Sequence, residues 1–235
     1  MTTARTRLLA AAGAALLAGG MLTQVSSVSA AAPIVRIPAP ALDTPSTAPS
    51  ETAVFAGGCF WGVQGVYQRV KGVTSAVSGY TGGSRADAAY ETVGSGTTGH
   101  AESVRITYDP RVVSYGKLLQ IYFSVVADPT QRNAQGPDSG TQYRSAIFPT
   151  SDAQRRIATA YIGQLGKSGA WNRPIVTKVE RAQGFYPAEA YHQDYLTLHP
   201  DAAYIRINDL PKVAALKEAF PTLYRAQPVL VRAKG

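Results

Sequence analysis

Apolar positions along the chain fall into two rhythms from residue 51 onward. Residues 52–56 form a short continuous apolar run, read as a buried strand, and Gly57-Gly58 break it. Val63, Val66, Tyr67 and Val70 then recur at helical spacing. Residues 72–80 are small and β-branched, a second strand, and residues 102–108 form a third that stops at Asp109-Pro110. Between them, residues 81–100 carry five glycines and read as a long loop. Ser114 is placed to cap a helix whose apolar face is Tyr115, Leu118, Leu119, Tyr122 and Val126. A second long loop over 128–141 leads to a strand over 142–148, which Pro149 ends. Ser151 caps a helix with Ile157, Ala158, Tyr161, Ile162 and Leu165 on one face. Residues 175–182 read as a strand, Pro187 opens a helix through Tyr191, Tyr195 and Leu198, and Asp209 caps a last helix with Leu210, Val213, Leu216 and Phe220 inward. Strands alternating with helices, some strands adjacent, predict an α+β fold: a two-layer sandwich with a central mixed β-sheet and flanking helices.

Residues 1–30 have a different character. Arg5 and Arg7 precede an apolar stretch over 8–22, and Val28-Ser29-Ala30 is a small-residue cleavage site, so this segment reads as a signal peptide. The stretch is short for a membrane-spanning helix, and an uncleaved anchor is the alternative. Residues 31–50, dominated by Ala, Pro, Ser and Thr, read as a linker. Residues 51–235 form the folded domain. The expectation is an exported protein, periplasmic or secreted, with no membrane association once the leader is removed. It is also expected to be a monomer.

Composition narrows the chemistry. The chain carries a net +8, and loss of Arg5 and Arg7 leaves +6. The basic residues are scattered, with no Lys/Arg stripe among aromatics, which argues against a nucleic-acid partner. No phosphate loop or dinucleotide fingerprint is present. His100, His192 and His199 are the only histidines, and their spacing from one another and from the acids resembles no zinc site, so no metal is expected. Both methionines lie within the first 30 residues. There is one cysteine, so no intramolecular disulfide can form.

That cysteine, Cys59, sits between Gly57-Gly58 and a predicted helix start. Free amide N–H groups and the helix dipole there favour a thiolate. A lone cysteine is equally at home as a small buried hydrophobe. Glu102 shares strand parity with Val104, Ile106 and Tyr108 and therefore points to the apolar side, where burial would raise its pKa and keep a proton available. A strand-edge glutamate that bends out to solvent is the other reading. Tyr80 and Tyr143 flank the two long loops and could share a cleft. Phe60 and Trp61 follow Cys59 and could wall an apolar pocket. Residues alone leave open a reductase, another cysteine enzyme such as a thiol peroxidase or transferase, and a peptide-binding module.

Five segments resemble, in order, the motifs of the peptide methionine sulfoxide reductase A (MsrA) family. They are GGCFWG at 57–62, GYTGG at 79–83, GHAE at 99–102, GTQYRS at 140–145 preceded by Asp138, and AEAYHQDY at 188–195. The likeness spans about residues 52–200. It implies an MsrA-like catalytic domain with a ferredoxin-like core and thiol-dependent reduction of methionine-S-sulfoxide, free or in oxidised proteins and peptides. In the roles it implies, Cys59 attacks the sulfoxide sulfur, Glu102 protonates its oxygen, and Tyr80 and Tyr143 hydrogen-bond that oxygen. Phe60 and Trp61 hold the methyl group. Asp138, His192 and Tyr195 place the peptide backbone. Attack leaves a sulfenic acid on Cys59. Many members carry resolving cysteines near the C-terminus, and residues 199–205 have none. Recycling therefore calls for an external thiol reductant (a thioredoxin-like protein, a glutaredoxin or a small thiol), with no bound cofactor.

Overall fold

The computed structural model describes residues 34–181 and 183–231. The expected leader and its cleavage site lie outside these residues.

In chain order the elements are β1 (Glu51–Gly57), α1 (Phe60–Tyr67), β2 (Val73–Thr81), the one-turn α2 (Tyr90–Val93), β3 (Ala101–Tyr108) and α3 (Tyr115–Ile121). There follow β4 (Ala134–Gln135), β5 (Asp138–Ser139), β6 (Ser145–Phe148), α4 (Asp152–Gly166), β7 (Lys178–Val179), β8 (Phe185–Pro187), the one-turn α5 (Tyr195–Leu198) and α6 (Leu210–Ala219). Six strands form one sheet in the order β7-β6-β1-β3-β2-β8, antiparallel except for the β6–β7 pair. The four central strands, β6-β1-β3-β2, come from a β-α-β-β-α-β run in which β3 returns between β1 and β2. That is the ferredoxin-like split β-α-β arrangement. The fold is thus the expected α+β sandwich on a mixed sheet.

The core lies between this sheet and its helices. Phe55, Val104, Ile106 and Tyr108 face inward and pack with Val63, Val66 and Tyr67 of α1 and Leu118 and Leu119 of α3. The period of two in β3 therefore puts Glu102 on the same side as α1, as its parity predicts. The reverse face carries a smaller cluster of Val54, Ala56, Ala101, Ala146 and Phe148. Ser114 and Ser151 cap α3 and α4 as expected, accepting from the amides of Lys117 (3.1 Å) and Gln154 (3.2 Å).

Four expectations change. The helix read from Pro187 onward is instead strand β8, a turn at Ala190–His192, and the one-turn α5. Asp194 at φ +62° breaks it, and the Gln193 amide bonds Ser78 and Ala188 carbonyls (2.9 and 3.0 Å) rather than facing solvent. The strand read over 175–182 is regular only at Lys178–Val179. Asp209 precedes α6 but makes no capping bond and pairs with Lys212 instead (3.4 Å). The helix over 115–126 ends in a wide turn at Tyr122–Val126, where Ala127 N–H reaches the Tyr122 carbonyl at 3.1 Å.

Residues 34–50 have no regular structure, as their composition implies, yet they are tied down. Gln120 donates to the Ile37 carbonyl (3.0 Å), Tyr161 to that of Pro38 (2.7 Å), and Val35 N–H to that of Ser124 (3.1 Å). Asp43 accepts from the Ser114 hydroxyl and from Gly116 N–H (3.1 Å) at the start of α3. Ile37 is buried. Prolines deny the segment a ladder of its own, and its backbone polar groups find partners on α3 and α4 instead.

Asp43→Ala should therefore lower stability by about 1–2 kcal/mol, the usual effect of losing an acceptor at a helix N-terminus. Urea unfolding measures it. A change within about 0.3 kcal/mol would show that this segment does not support α3.

Candidate active site

Gly58 makes the turn from β1 into α1. Its φ is +86°, and a Cβ there would collide with the side chain of Gln135. The turn places Cys59 immediately before α1, 8% exposed, at the end of a cavity of about 210 Å³. Phe60, Trp61, Tyr90, Glu102, Asp138, Tyr143 and Tyr204 complete its walls.

Glu102, 3% exposed, accepts a hydrogen bond from Phe60 N–H at 2.9 Å. One orphan amide at the start of α1 is thereby satisfied by the carboxyl from the neighbouring strand. Burial pushes the Glu102 pKa up to about 8, the Phe60 amide opposes this, and the charges of Asp138 and Asp209 add to the rise. At neutral pH most of this carboxyl is protonated, as expected of a proton donor.

The expectation for Cys59 needs correcting. The Trp61 amide and Lys212 do lower its pKa, in keeping with a helix start. Burial outweighs them, however, and the charges of Glu102 and Asp209 raise it further, so the thiol sits well above its ordinary value. The resting site holds a thiol. Protonation of Glu102 removes one of the charges opposing the thiolate, so the proton donor and the nucleophile are coupled.

The expected residues divide into those that reach the cavity and those that hold its walls. Cys59, Glu102, Phe60, Trp61, Asp138 and Tyr143 reach it. Tyr80 does not. Its hydroxyl donates to Glu189 Oε2 at 2.8 Å, and its ring lies 5.8 Å from that of Phe60. Glu189 Oε1 in turn accepts from Tyr90 N–H at 2.9 Å. Tyr80 thus fixes Glu189, which fixes the start of α2 and the position of Tyr90. His192 and Tyr195 also stand behind the wall. Trp61 Nε1–H donates to His192 Nδ1 at 3.1 Å, and Tyr195 stacks on Trp61 at 3.9 Å and 11°. Burial lowers the His192 pKa, which suits a neutral imidazole accepting that bond.

Two wall residues went unread in the sequence. Tyr90 is the only aromatic residue between 81 and 100, a signal in an otherwise small and polar loop. Tyr204 lies in the segment noted only for lacking cysteine; its hydroxyl donates to Asp138 Oδ2, and its ring meets Trp61 edge-on at 5.9 Å. Burial raises the pKa of Tyr90, Tyr143 and Tyr204, and the charge of Cys59 contributes in all three, so these hydroxyls remain donors. No cluster of three metal-ligating side chains occurs among the described residues.

A cavity with a cysteine, a protonated carboxylic acid beside it, three tyrosines and an aromatic wall can bind a small apolar group with one polar oxygen. It can deliver a proton to that oxygen while sulfur attacks.

Comparison with known proteins gives the same picture. The family profile described as peptide methionine sulfoxide reductase matches residues 51–223. A protein of Mesorhizobium japonicum named peptide methionine sulfoxide reductase MsrA 2 is 65% identical over 190 residues, 81% of this chain and 97% of that one. One of the same name from Synechocystis is 49% identical, covering 76% of this chain and 83% of its own. Among solved structures, reduced Mxr1 of Saccharomyces cerevisiae matches with a TM-score of 0.59 and 33% identity, over 69% of this chain and 92% of that one. Methionine sulfoxide reductase A of Corynebacterium diphtheriae matches with a TM-score of 0.55 and 31% identity, over 72% and 85%.

Burial of Glu102 has a stability signature. A carboxyl whose folded pKa is raised binds more protons folded than unfolded between the unfolded value, about 4.3, and the folded value. Its contribution therefore favours folding at low pH and is lost as pH rises through that window, levelling off above about 8. Glu102→Gln removes this dependence. The stability of the variant relative to the parent should rise by a few kcal/mol between pH 5 and pH 8, at about 1.4 kcal/mol per unit of pKa shift. Urea unfolding across that range tests it, and parallel curves would mean that Glu102 is not held protonated.

Proposed function

The chain belongs to the peptide methionine sulfoxide reductase family, and on that footing we propose how its residues perform the reduction of methionine-S-sulfoxide to methionine. The observation that carries the assignment of roles is the single cavity in which Cys59 and the buried, protonated Glu102 share the first turn of α1.

The sulfoxide's methyl group lies against Phe60 and Trp61, whose planes are fixed by His192 and Tyr195 behind them. Its oxygen meets Glu102 and the hydroxyls of Tyr90 and Tyr143. Tyr90 takes the place first given to Tyr80, and Tyr80 acts through Glu189 to position it. Glu102 gives its proton to the oxygen as Cys59 attacks the sulfur, and the thiol proton of Cys59 passes to the Glu102 carboxylate, so that no net charge develops in the site. The S–S bond formed by the attack and the S–O bond of the sulfoxide then break as the hydroxyl passes to Cys59, leaving free methionine and a Cys59 sulfenic acid. Methionine sulfur gains two electrons and Cys59 loses them. Asp138, held by Tyr204, stands at the wall where the peptide backbone enters.

With a single cysteine in the chain, the sulfenic acid has no internal partner. An external thiol condenses with it, releasing water and forming a mixed disulfide, and a second thiol releases Cys59. A thioredoxin-like protein, a glutaredoxin or a small thiol supplies these equivalents. The basic and apolar character of residues 1–30 supports export, and the protein then repairs oxidised proteins outside the cytoplasm as a monomer. No helix among the described residues is long and apolar enough to cross a membrane.

Without reductant, the protein should release one methionine per chain from a methionine-S-sulfoxide peptide and then react with dimedone at Cys59. Cys59→Ser should do neither. Mass spectrometry of the adduct decides, and a second equivalent of methionine, or an adduct elsewhere, would remove Cys59 from the mechanism.

Glu102→Gln should slow single-turnover methionine formation by about two to four orders of magnitude, the range of general acid catalysis. Tyr90→Phe should slow it more than Tyr80→Phe, because only Tyr90 reaches the oxygen. The reverse order would return the contact to Tyr80.

A further inference from the structure

A larger depression lies next to the catalytic cavity and takes no part in the chemistry above. Its volume is about 380 Å³. Phe123, Val125, Val126 and Ala127, at and just after the wide turn that ends α3, line it together with Val35, Pro137 and Trp171.

The depression is continuous with the catalytic site. Tyr204 lines both. Gly136 and Pro137 line the depression, and Asp138, next in the chain, lines the catalytic cavity. Gln135 forms part of the depression with the same side chain that packs against Gly58, one residue before Cys59.

Its polar groups are engaged elsewhere. Asp128 accepts from Thr130 and Gln131, and Gln135 bonds the Asp128 backbone at 2.9 and 3.1 Å. Lys212 pairs with Asp209, and the Asn208 amide donates to the Tyr204 carbonyl. What remains on offer is an apolar surface. A cavity of about 150 Å³ already admits a benzene ring, so this one takes a large aliphatic or aromatic side chain.

We propose that this depression is a subsite for an apolar side chain flanking the methionine sulfoxide of a peptide substrate. The proposal rests on the reductase reading. With a methionine side chain in the 210 Å³ cavity, the peptide on either side of it runs out past the residues the two cavities share, Tyr204 and the Pro137–Asp138 step. An extended peptide advances about 3.3 Å per residue, so neighbours one or two positions away lie about 3–7 Å along, over the far side of Tyr204. A large apolar side chain there is buried on binding, whereas a small polar one gains nothing.

The test uses peptides of the form Ser-Ser-MetO-Ser-Ser with phenylalanine substituted singly at each flanking position, dithiothreitol in excess, and N-acetylmethionine sulfoxide as a substrate without flanks. Phenylalanine in at least one position should raise kcat/KM about ten- to hundredfold, mainly through KM, as burial of an aromatic side chain implies. Trp171→Ala removes one wall and should erase most of that gain while leaving N-acetylmethionine sulfoxide turnover unchanged. Trp171 is only half-buried, and Val35→Ser, at another half-buried lining residue, provides a second variant should the first unfold. The proposal is overturned if no placement gains more than twofold, if both variants keep the gain, or if they alter only the dependence on a protein thiol reductant, which would make the depression a reductant surface. Failure to turn over N-acetylmethionine sulfoxide at all would instead strike the reductase reading beneath it.

Discussion

One buried hydrogen bond joins the two halves of the active site: Phe60 N–H to the carboxyl of Glu102. It ties the first turn of α1 to the start of β3, and so ties the nucleophile to the acid. Removing a carboxyl group from water disfavours its charged form, and here that penalty exceeds the help from the Phe60 amide. The same burial that keeps Glu102 protonated also keeps Cys59 a thiol. Neither group is activated in isolation. Each charge on one opposes the charge on the other, and a sulfoxide that accepts the proton and offers its sulfur resolves both at once. Such a site stays quiet until the right oxygen occupies it.

Much of the surrounding sequence serves to hold these two groups still. The segment from Ala188 to Tyr195 contributes no atom to the cavity wall. Gln64 donates to Gln193 Oε1 and to the Ala76 carbonyl, and the two side chains accept from Ser78 N–H and Asp194 N–H. Gln68 reaches Asp194 at 2.6 Å. This buried polar network fixes His192 and Tyr195 against Phe60 and Trp61. Glu189, at its edge, couples Tyr80 to Tyr90. Arg144 does similar work on the other side, joining Glu180 to the carbonyls of Gly99, His100 and Thr141 and so holding the turn that presents Tyr143. All but two of the buried side-chain atoms in these networks, Gln68 Oε1 and His192 Nε2, have a partner, and networks of this kind rigidify their surroundings.

Local rules made the central fold legible. Parity in β3 put Glu102 on the helix side, Gly57-Gly58 marked the turn before Cys59, and Ser114 and Ser151 marked two helix starts. These depend on a few adjacent residues and on burial of one face. What escaped depends on distant partners. The apolar spacing of Tyr191, Tyr195 and Leu198 fits a helix, but a left-handed Asp194 and the Gln193 contacts to β2 override it. Residues 34–50 have no periodicity, and their docking rests on contacts with residues far along the chain, such as the carbonyls they offer to Gln120 and Tyr161 and the acceptor Asp43 gives to Ser114. For the site, motif likeness brought the right residues together without separating those that touch the cavity from those that support it. Tyr80 sits opposite Glu102 in the β2–β3 register, yet its hydroxyl turns to Glu189. No spacing rule foretells which way a long side chain's tip will point.

The segment from Tyr204 through α6 shows what a single-cysteine chain does with a region that carries no second thiol. It is built in rather than left free to approach Cys59. Ile205 is fully buried, Tyr204 is bonded to Asp138, and α6 packs on α1. Asp209 is held so close to Gly62 that any Cβ there would collide with its carboxyl. That contact needs glycine in the first turn of α1 and places a second buried carboxyl, raised to about 6, near Cys59. Lys212 offsets part of its charge and lowers the pKa of the thiol. The segment's Tyr204 lines both the catalytic cavity and the apolar depression beside it. On the proposed mechanism the oxidised sulfur has no internal thiol partner and is resolved by a thiol from outside, so that reductant and substrate use the site in turn.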